Sequence, residues 1–221
     1  MDERKRIAGE KAAEWVRDGM VLGLGTGSTT YFALRAIGDL VDKGYDLVGV
    51  PTSRSTEELA REFDIPLTTL DEVGEIDLTI DGADEVDPDK RLIKGMGGAL
   101  LREKIVASAS REEIIVVDDS KLVDLLGTVS KLPVEVIPFG HANTRKMIES
   151  LGCVAELRGG RSPFITDNGN LIYDCRFDGI DRPSDLEAEL NIIPGVIENG
   201  LFLKLATRII IAREGGVETR E

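Results

Sequence analysis

The sequence predicts an α/β fold: a Rossmann-like, mostly parallel sheet with helices on both faces, plus a small α+β, ferredoxin-like domain. Three observations lead there. Short apolar runs alternate with helix-forming stretches through about residue 117. Loops rich in glycine, or built on Asp-Gly, follow two of those runs, where open α/β sheets bind ligands. After about Lys131 the rhythm changes to strand-helix-strand-strand-helix-strand, the order of a split βαβ unit.

The elements follow in order. Residues 4–18 place Ile7, Ala8, Ala12, Trp15 and Val16 on one helical face, and Gly19 supplies a stop. Residues 20–24 form a short apolar strand running into Gly25-Thr26-Gly27-Ser28-Thr29, then a helix reaches about Lys43 and ends at Gly44. Residues 47–50 are the next strand, and Ser53, Thr56 and Glu57 open a helix with cap-type residues. Residues 77–81 (DLTID) form a strand with its acid at the carboxyl end. A helix over 98–109 and an apolar strand over 113–117 complete this part.

In the second part, residues 134–137 read as a strand and 144–151 as a helix. Residues 164–177 read as a hairpin around Asp167-Asn168-Gly169-Asn170, a strong turn signal. A short helix over 186–190 and a strand over 195–201 follow, and 208–213 (RIIIAR) returns to the main sheet. The expected division is a Rossmann-like domain of 1–130 with 204–221, and a small α+β domain of 131–203.

The chain has 221 residues, 42% hydrophobic, which is ample for a buried core, and a formal net charge of −14. That acidity, with no Lys/Arg run, argues against a nucleic-acid partner. An anionic ligand must be caught by local lysines and backbone N–H groups. Cys153 and Cys175 match no zinc or CxxC spacing and read as unpaired structural thiols. The start of the chain is charged and helical, and no apolar run approaches the ~18 residues a membrane span needs. The expectation is a soluble cytoplasmic protein with no membrane partner.

Chemistry concentrates in the first part. Gly25 to Thr29 offers glycine dihedrals, two hydroxyls and the start of a helix, which suit a phosphate; an ordinary capped turn is the plainer reading. The segment is neither a dinucleotide fingerprint, since Ser28 stands where the third glycine belongs, nor a P-loop. Asp81 and Asp84 lie on a glycine turn that can face both carboxylates into one pocket, where like charges push one pKa upward. A solvated acidic turn is the alternative. Lys94, beside Gly95-Met96-Gly97-Gly98, can clamp a phosphate or stabilise an oxyanion. Glu103 falls early in the following helix, near the same loop. His141, the only histidine, reads as structural, and no His/Asp/Glu cluster suggests a metal.

Taken together, GLGTGST, DGADE, KGMGGALLREK, DDSK, LPVEVIP, TDNGN and IPGVIENGLF resemble type A ribose-5-phosphate isomerase over nearly the whole chain. The resemblance implies interconversion of ribose 5-phosphate and ribulose 5-phosphate, a step of the non-oxidative pentose phosphate pathway, without metal or other cofactor, by a homodimer or homotetramer. It implies that Glu103 is the base, that Asp81 assists ring opening and proton handling, and that Lys94 stabilises developing charge. Thr26, Gly27, Ser28, Thr29, Asp81, Gly82, Ala83, Asp84, Lys94, Gly95, Met96, Gly97, Lys121 and Lys5 would contact substrate.

Two departures stand out. Met96 interrupts a run that is glycine in the family, excluding glycine-only dihedrals there unless strain is accepted. The end of the chain lacks the family's common Gly-Asp turn, which bears on subunit contacts. Two other functions compete: a sugar-phosphate-sensing regulatory domain, which would call for a DNA-binding segment and a basic face, and a CoA-transferase-like enzyme, which would need a CoA-sized groove.

Overall fold

The computed structural model describes residues 3–221. In chain order it has α1 (Glu3–Ala13), β1 (Val21–Leu24), α2 (Thr30–Asp42), β2 (Val48–Pro51), α3 (Arg54–Glu62), α4 (Leu70–Val73) and β3 (Ile76–Gly82). Next come β4 (Glu85–Val86), β5 (Leu92–Ile93), α5 (Leu100–Ser108), β6 (Ser110–Asp118) and a 3₁₀ turn, Asp119–Lys121. The rest is β7 (Leu132–Val136), α6 (His141–Glu149), β8 (Val154–Leu157), β9 (Leu171–Arg176), α7 (Pro183–Asn191), β10 (Val196–Asn199), β11 (Leu201–Phe202), β12 (Arg208–Arg213) and β13 (Gly216–Arg220).

Two compact units result: residues up to Ala83 with Arg102–Lys121 and Lys204–Glu221, and Asp84–Leu101 with Leu122–Leu203. Residues 84–101 and 122–130, expected in the first domain, group with the second. The physical reason is that β5 pairs with both β4 and β11 in a separate three-stranded sheet, and Ile93 and Leu126 bury beside Leu201.

The first unit holds a six-stranded sheet in the order β13-β12-β6-β3-β1-β2, parallel except for the β12–β13 pair. Its strand order reverses between β1 and β3, the switch point where α/β sheets of this kind bind ligands. Alternation along the strands serves both faces. Leu22, Leu24, Leu78 and Ile80 bury against Ala8 and Ala12 of α1 and Leu34 and Ile37 of α2. Val50 and Ile76 bury against Val106 of α5 on a second cluster. Each such Leu, Ile or Val side chain contributes about 1.5–3 kcal/mol when fully buried. Gly23 lets the sheet close under α5: a Cβ there would lie 1.8 Å from Thr79 Oγ1 and 2.7 Å from Val106 Cγ1.

α1 and α5 are shorter than the sequence suggests. α1 stops at Ala13, and Glu14, Trp15 and Val16 continue with i→i−3 bonds of 3.1–3.2 Å, so Val16 still reaches the core. α5 starts at Leu100 because Gly98 takes φ +84°, outside the helical region. Ser53 caps α3 as expected, accepting from Thr56 N–H at 3.1 Å.

The second unit's four-stranded sheet runs β10-β7-β9-β8, all antiparallel, with α6 and α7 in the split βαβ order. The hairpin expected over 164–177 is a correction: β9 pairs with β8, and residues 164–170 form no strand. Buried Glu135 explains it. One of its carboxylate oxygens accepts from Thr166 Oγ1 at 2.9 Å, Asn168 Nδ2 at 3.3 Å and Asn170 Nδ2 at 2.9 Å, tying the turn to β7. The strand expected over 195–201 also divides. At Gly200 the chain leaves the four-stranded sheet for the three-stranded one, and a Cβ there would lie 2.3 Å from Lys94 O.

Candidate active site

The loop after β1 is built around Asp81, the penultimate residue of β3. Gly25 N–H donates to Ile80 O at 3.0 Å, extending the parallel pairing by one residue. Thr26 N–H and Gly82 N–H then both donate to Asp81 Oδ1, at 3.1 and 2.7 Å. Asp81 is fully buried, so these charge-assisted bonds offset the desolvation of its carboxylate. Gly27 takes φ +133°, and its carbonyl accepts from Thr30 Oγ1 at 2.9 Å and Tyr31 N–H at 3.1 Å as α2 begins.

The Thr26 hydroxyl joins two loops. It lies 2.9 Å from Thr52 Oγ1, 2.8 Å from Ser53 Oγ and 2.9 Å from Thr56 Oγ1. Lys5 Nζ donates to Ser28 Oγ at 2.9 Å. Lys5, Gly25 to Ser28 and Thr56, with Tyr31, Phe32, Ser55 and Leu59, line a cavity of about 530 Å³. An ammonium, several hydroxyls and a helix start around one cavity suit a phosphorylated polyol. The lining from Tyr31, Phe32, Ser55, Thr56 and Leu59 was not anticipated. The signal was the hydroxyl run Thr52-Ser53-Ser55-Thr56 just past β2, the strand beside β1.

Glu103 is buried in the first turn of α5, and Lys121 ends the 3₁₀ turn after β6. Beside it, Asp118 accepts from the N–H of Ser120 at 3.0 Å and from its hydroxyl. Burial works to raise the Asp118 carboxyl; the Ser120 bonds, with the charges of Arg4 and Lys121, outweigh it and hold the carboxyl below its usual range.

The chain passes from the first unit to the second between Ala83 and Asp84, and returns between Leu101 and Arg102. In the second unit, Asp84 N–H donates to Ile93 O at 2.8 Å, and its Oδ2 accepts from Met96 N–H at 3.0 Å. Lys94 is buried, with its N–H on Gly200 O at 2.9 Å and its ammonium 5.3 Å from the Phe202 ring centre. Met96 carries no strain: Gly95 (φ +105°) and Gly98 (φ +84°) take the left-handed positions, and the Met96 side chain points outward, 46% exposed. His141 Nδ1 lies 2.7 Å from the Tyr173 hydroxyl in the second unit's sheet, a structural contact. The first unit therefore gathers Lys5, Thr26 to Ser28 and Asp81, and the second gathers Asp84 and the Lys94–Gly97 loop. Among the described residues, no group of three or more His, Cys, Asp or Glu side chains is disposed to hold a metal ion, and no helix is long and apolar enough to cross a membrane.

A family model for ribose 5-phosphate isomerase A (phosphoriboisomerase A) matches residues 48–216. The chain belongs to this family. Ribose-5-phosphate isomerase A of Bacillus mycoides is 53% identical over 216 residues, covering 97% of each chain. That of Gloeobacter violaceus is 51% identical over 220 residues, 99% of this chain and 96% of the relative. A D-ribose-5-phosphate isomerase solved in complex with phospho-erythronic acid superposes with a TM-score of 0.96 at 46% identity, covering 100% of both chains. Ribose 5-phosphate isomerase of Plasmodium falciparum superposes equally well, with a TM-score of 0.96 at 39% identity. The isomerase family thus shares both the parallel sheet and the small antiparallel sheet with this chain.

Proposed function

We propose that this chain interconverts D-ribose 5-phosphate and D-ribulose 5-phosphate by proton transfer through an enediolate. The observation that carries the reading is the loop at the switch point, where two amides hold Asp81 and a cavity of about 530 Å³ opens beside Lys5 and the start of α2. The full-length likeness to ribose-5-phosphate isomerases supports it.

The hydrogen on C2 of the open-chain aldose is weakly acidic because it neighbours the aldehyde. In this reading the Glu103 carboxylate removes it, the C–H electron pair becomes the C1–C2 double bond, and the aldehyde oxygen takes the negative charge. Glu103 then returns a proton to C1. The 2-hydroxyl loses its proton as the C2 carbonyl forms, and the oxygen on C1 gains one. Asp81 assists ring opening and proton handling, and Asp84 binds sugar hydroxyls. The Lys94 ammonium and the Gly95 and Gly97 amides stabilise the charged oxygens, while the Met96 amide holds Asp84. Lys5 and Thr26 to Thr29 hold the phosphate end, with Gly82, Ala83 and Lys121 completing the cradle. A positioned base contributes typically about 10²–10⁴-fold to rate. The relative solved with phospho-erythronic acid fits the idea: a sugar acid's carboxylate is planar and anionic, as is the O–C=C–O unit of an enediolate. The working form is a cytoplasmic homodimer or homotetramer needing no cofactor.

Isomerisation in deuterium oxide tests the chemistry. Proton exchange at an enediolate predicts deuterium at C1 of the ribulose 5-phosphate formed. Retention of the substrate hydrogen even after many reversible turnovers at equilibrium would point to direct hydride transfer instead. Sugar-phosphate binding without turnover would favour the sensing-domain reading.

A further inference from the structure

Arg158, just past β8, grips the Lys94–Gly98 loop from one side, and the chemistry above has given it no part. Its Nη1 donates to Gly95 O at 3.0 Å and to Met96 O at 3.1 Å. Its Nε donates to Asp174 Oδ2 at 3.0 Å, and its Nη2 to Asp174 Oδ1 at 2.5 Å. Both side chains of this pair are largely buried, 14% and 13% exposed. The guanidinium carbon lies 5.8 Å from the Phe164 ring centre. The same ring packs over Gly98, where a Cβ would come within 2.5 Å of it. Asp174 thus aims the guanidinium, Phe164 backs it, and two consecutive loop carbonyls receive it.

The consequence concerns the opposite side of those peptides. In a trans peptide the carbonyl and the following N–H point in opposite directions. With Gly95 O and Met96 O both turned toward Arg158, the N–H groups of Met96 and Gly97 are turned away from it. The first of these already donates to an anion, Asp84 Oδ2 at 3.0 Å. A cation at the carbonyl end also polarises each peptide, which strengthens its N–H as a donor. An ordinary cross-strand ion pair between β9 and the end of β8 would be satisfied by Asp174 alone. The two carbonyl contacts are what couple it to the loop.

We propose that Arg158, aimed by Asp174, is a positioning residue that fixes the Met96–Gly97 turn, so that the Met96 amide holds the Asp84 carboxylate and the Gly97 amide is presented to an anionic substrate oxygen. The identity of that oxygen rests on the isomerase reading above; the orientation of the amides does not. Arg158→Lys is not conservative here, because an ammonium cannot match a bidentate carboxylate and two carbonyls together.

The test uses the full chain, as wild type, Arg158→Lys, Arg158→Ala and Asp174→Asn, with two readouts. Amide hydrogen exchange at Met96 is expected to rise about tenfold in each variant while β7 and β9 amides keep their protection. Isomerase kcat/KM is expected to fall about 10- to 100-fold, chiefly in kcat, the size of effect that a small misplacement of reacting groups produces. Added guanidinium ion should restore part of the activity of Arg158→Ala. Unchanged Met96 exchange, or exchange that rises equally across β7 and β9, overturns the proposal. Asp174→Asn, which keeps the guanidinium, decides the matter if Arg158→Ala does not fold. Wild-type turnover matched by the variants defeats the positioning role and leaves the isomerase standing. A Met96 response without any wild-type turnover does the reverse.

Discussion

Gly25→Ala joins the fold to the chemistry most tightly. Gly25 is not among the glycines with positive φ, so space rather than backbone angle requires it. A Cβ there would stand 2.3 Å from Asp81 Oδ1, 2.4 Å from Asp81 Cγ and 2.6 Å from Asp81 Cα. The side chain alone cannot relieve this, because the Cα belongs to β3 in the middle of the sheet. Overpacking of this kind costs about 1–3 kcal/mol. Losing one charge-assisted bond to Asp81 adds about 1.5–3 kcal/mol. Since each kcal/mol lowers Tm by roughly 2–4 °C for a chain of this size, the expected fall is about 5–24 °C. Activity should drop with it, because Asp81 is displaced. Calorimetry and a turnover assay on Gly25→Ala, beside Gly216→Ala as control, measure both. A Cβ at Gly216 meets nothing within 4 Å, so that variant should keep its Tm and rate. An unshifted Gly25→Ala would refute the close-approach argument.

Two further outcomes follow. Lys5→Met removes the ammonium bonded to Ser28 and should raise KM about 10- to 100-fold with little change in kcat, as expected for a charged hydrogen bond made equally in ground and transition states; a fall confined to kcat would contradict a phosphate-end role. Asp118, held below its usual range, binds its proton less readily when folded than when unfolded, so it stabilises the fold above about pH 4 and loses that contribution as pH falls through its folded value. Asp118→Asn should therefore show a Tm deficit at pH 7 that closes in acid, and a gap independent of pH would contradict the assignment.

The sequence revealed most where structure is local. The strand-loop-helix order around Gly25 to Thr29, the Ser53 cap and the acid near the end of β3 depend on near neighbours, and each stands where expected. What it hid depends on distant pairing. Thr52 and Thr56 reach Thr26 only because β2 lies parallel to β1, with Leu24 opposite Pro51. The DNGN turn was visible, but its strands were not, since buried Glu135 holds the turn rather than a pairing of its flanks. Membership of residues 84–101 in the second unit follows from β5 pairing with β11, over a hundred residues later. Arg158 carried no motif at all; only the register of β8 on β9 brings it to Asp174.

The most direct measurement is formation of ribulose 5-phosphate from ribose 5-phosphate, with excess chelator, by wild type and Glu103→Gln. Chelator-insensitive turnover is expected in the wild type, with a loss of about 10²–10⁴-fold in Glu103→Gln and sugar-phosphate binding retained. Equal turnover in both proteins would remove Glu103 as the base, and no wild-type turnover would contradict the isomerase itself.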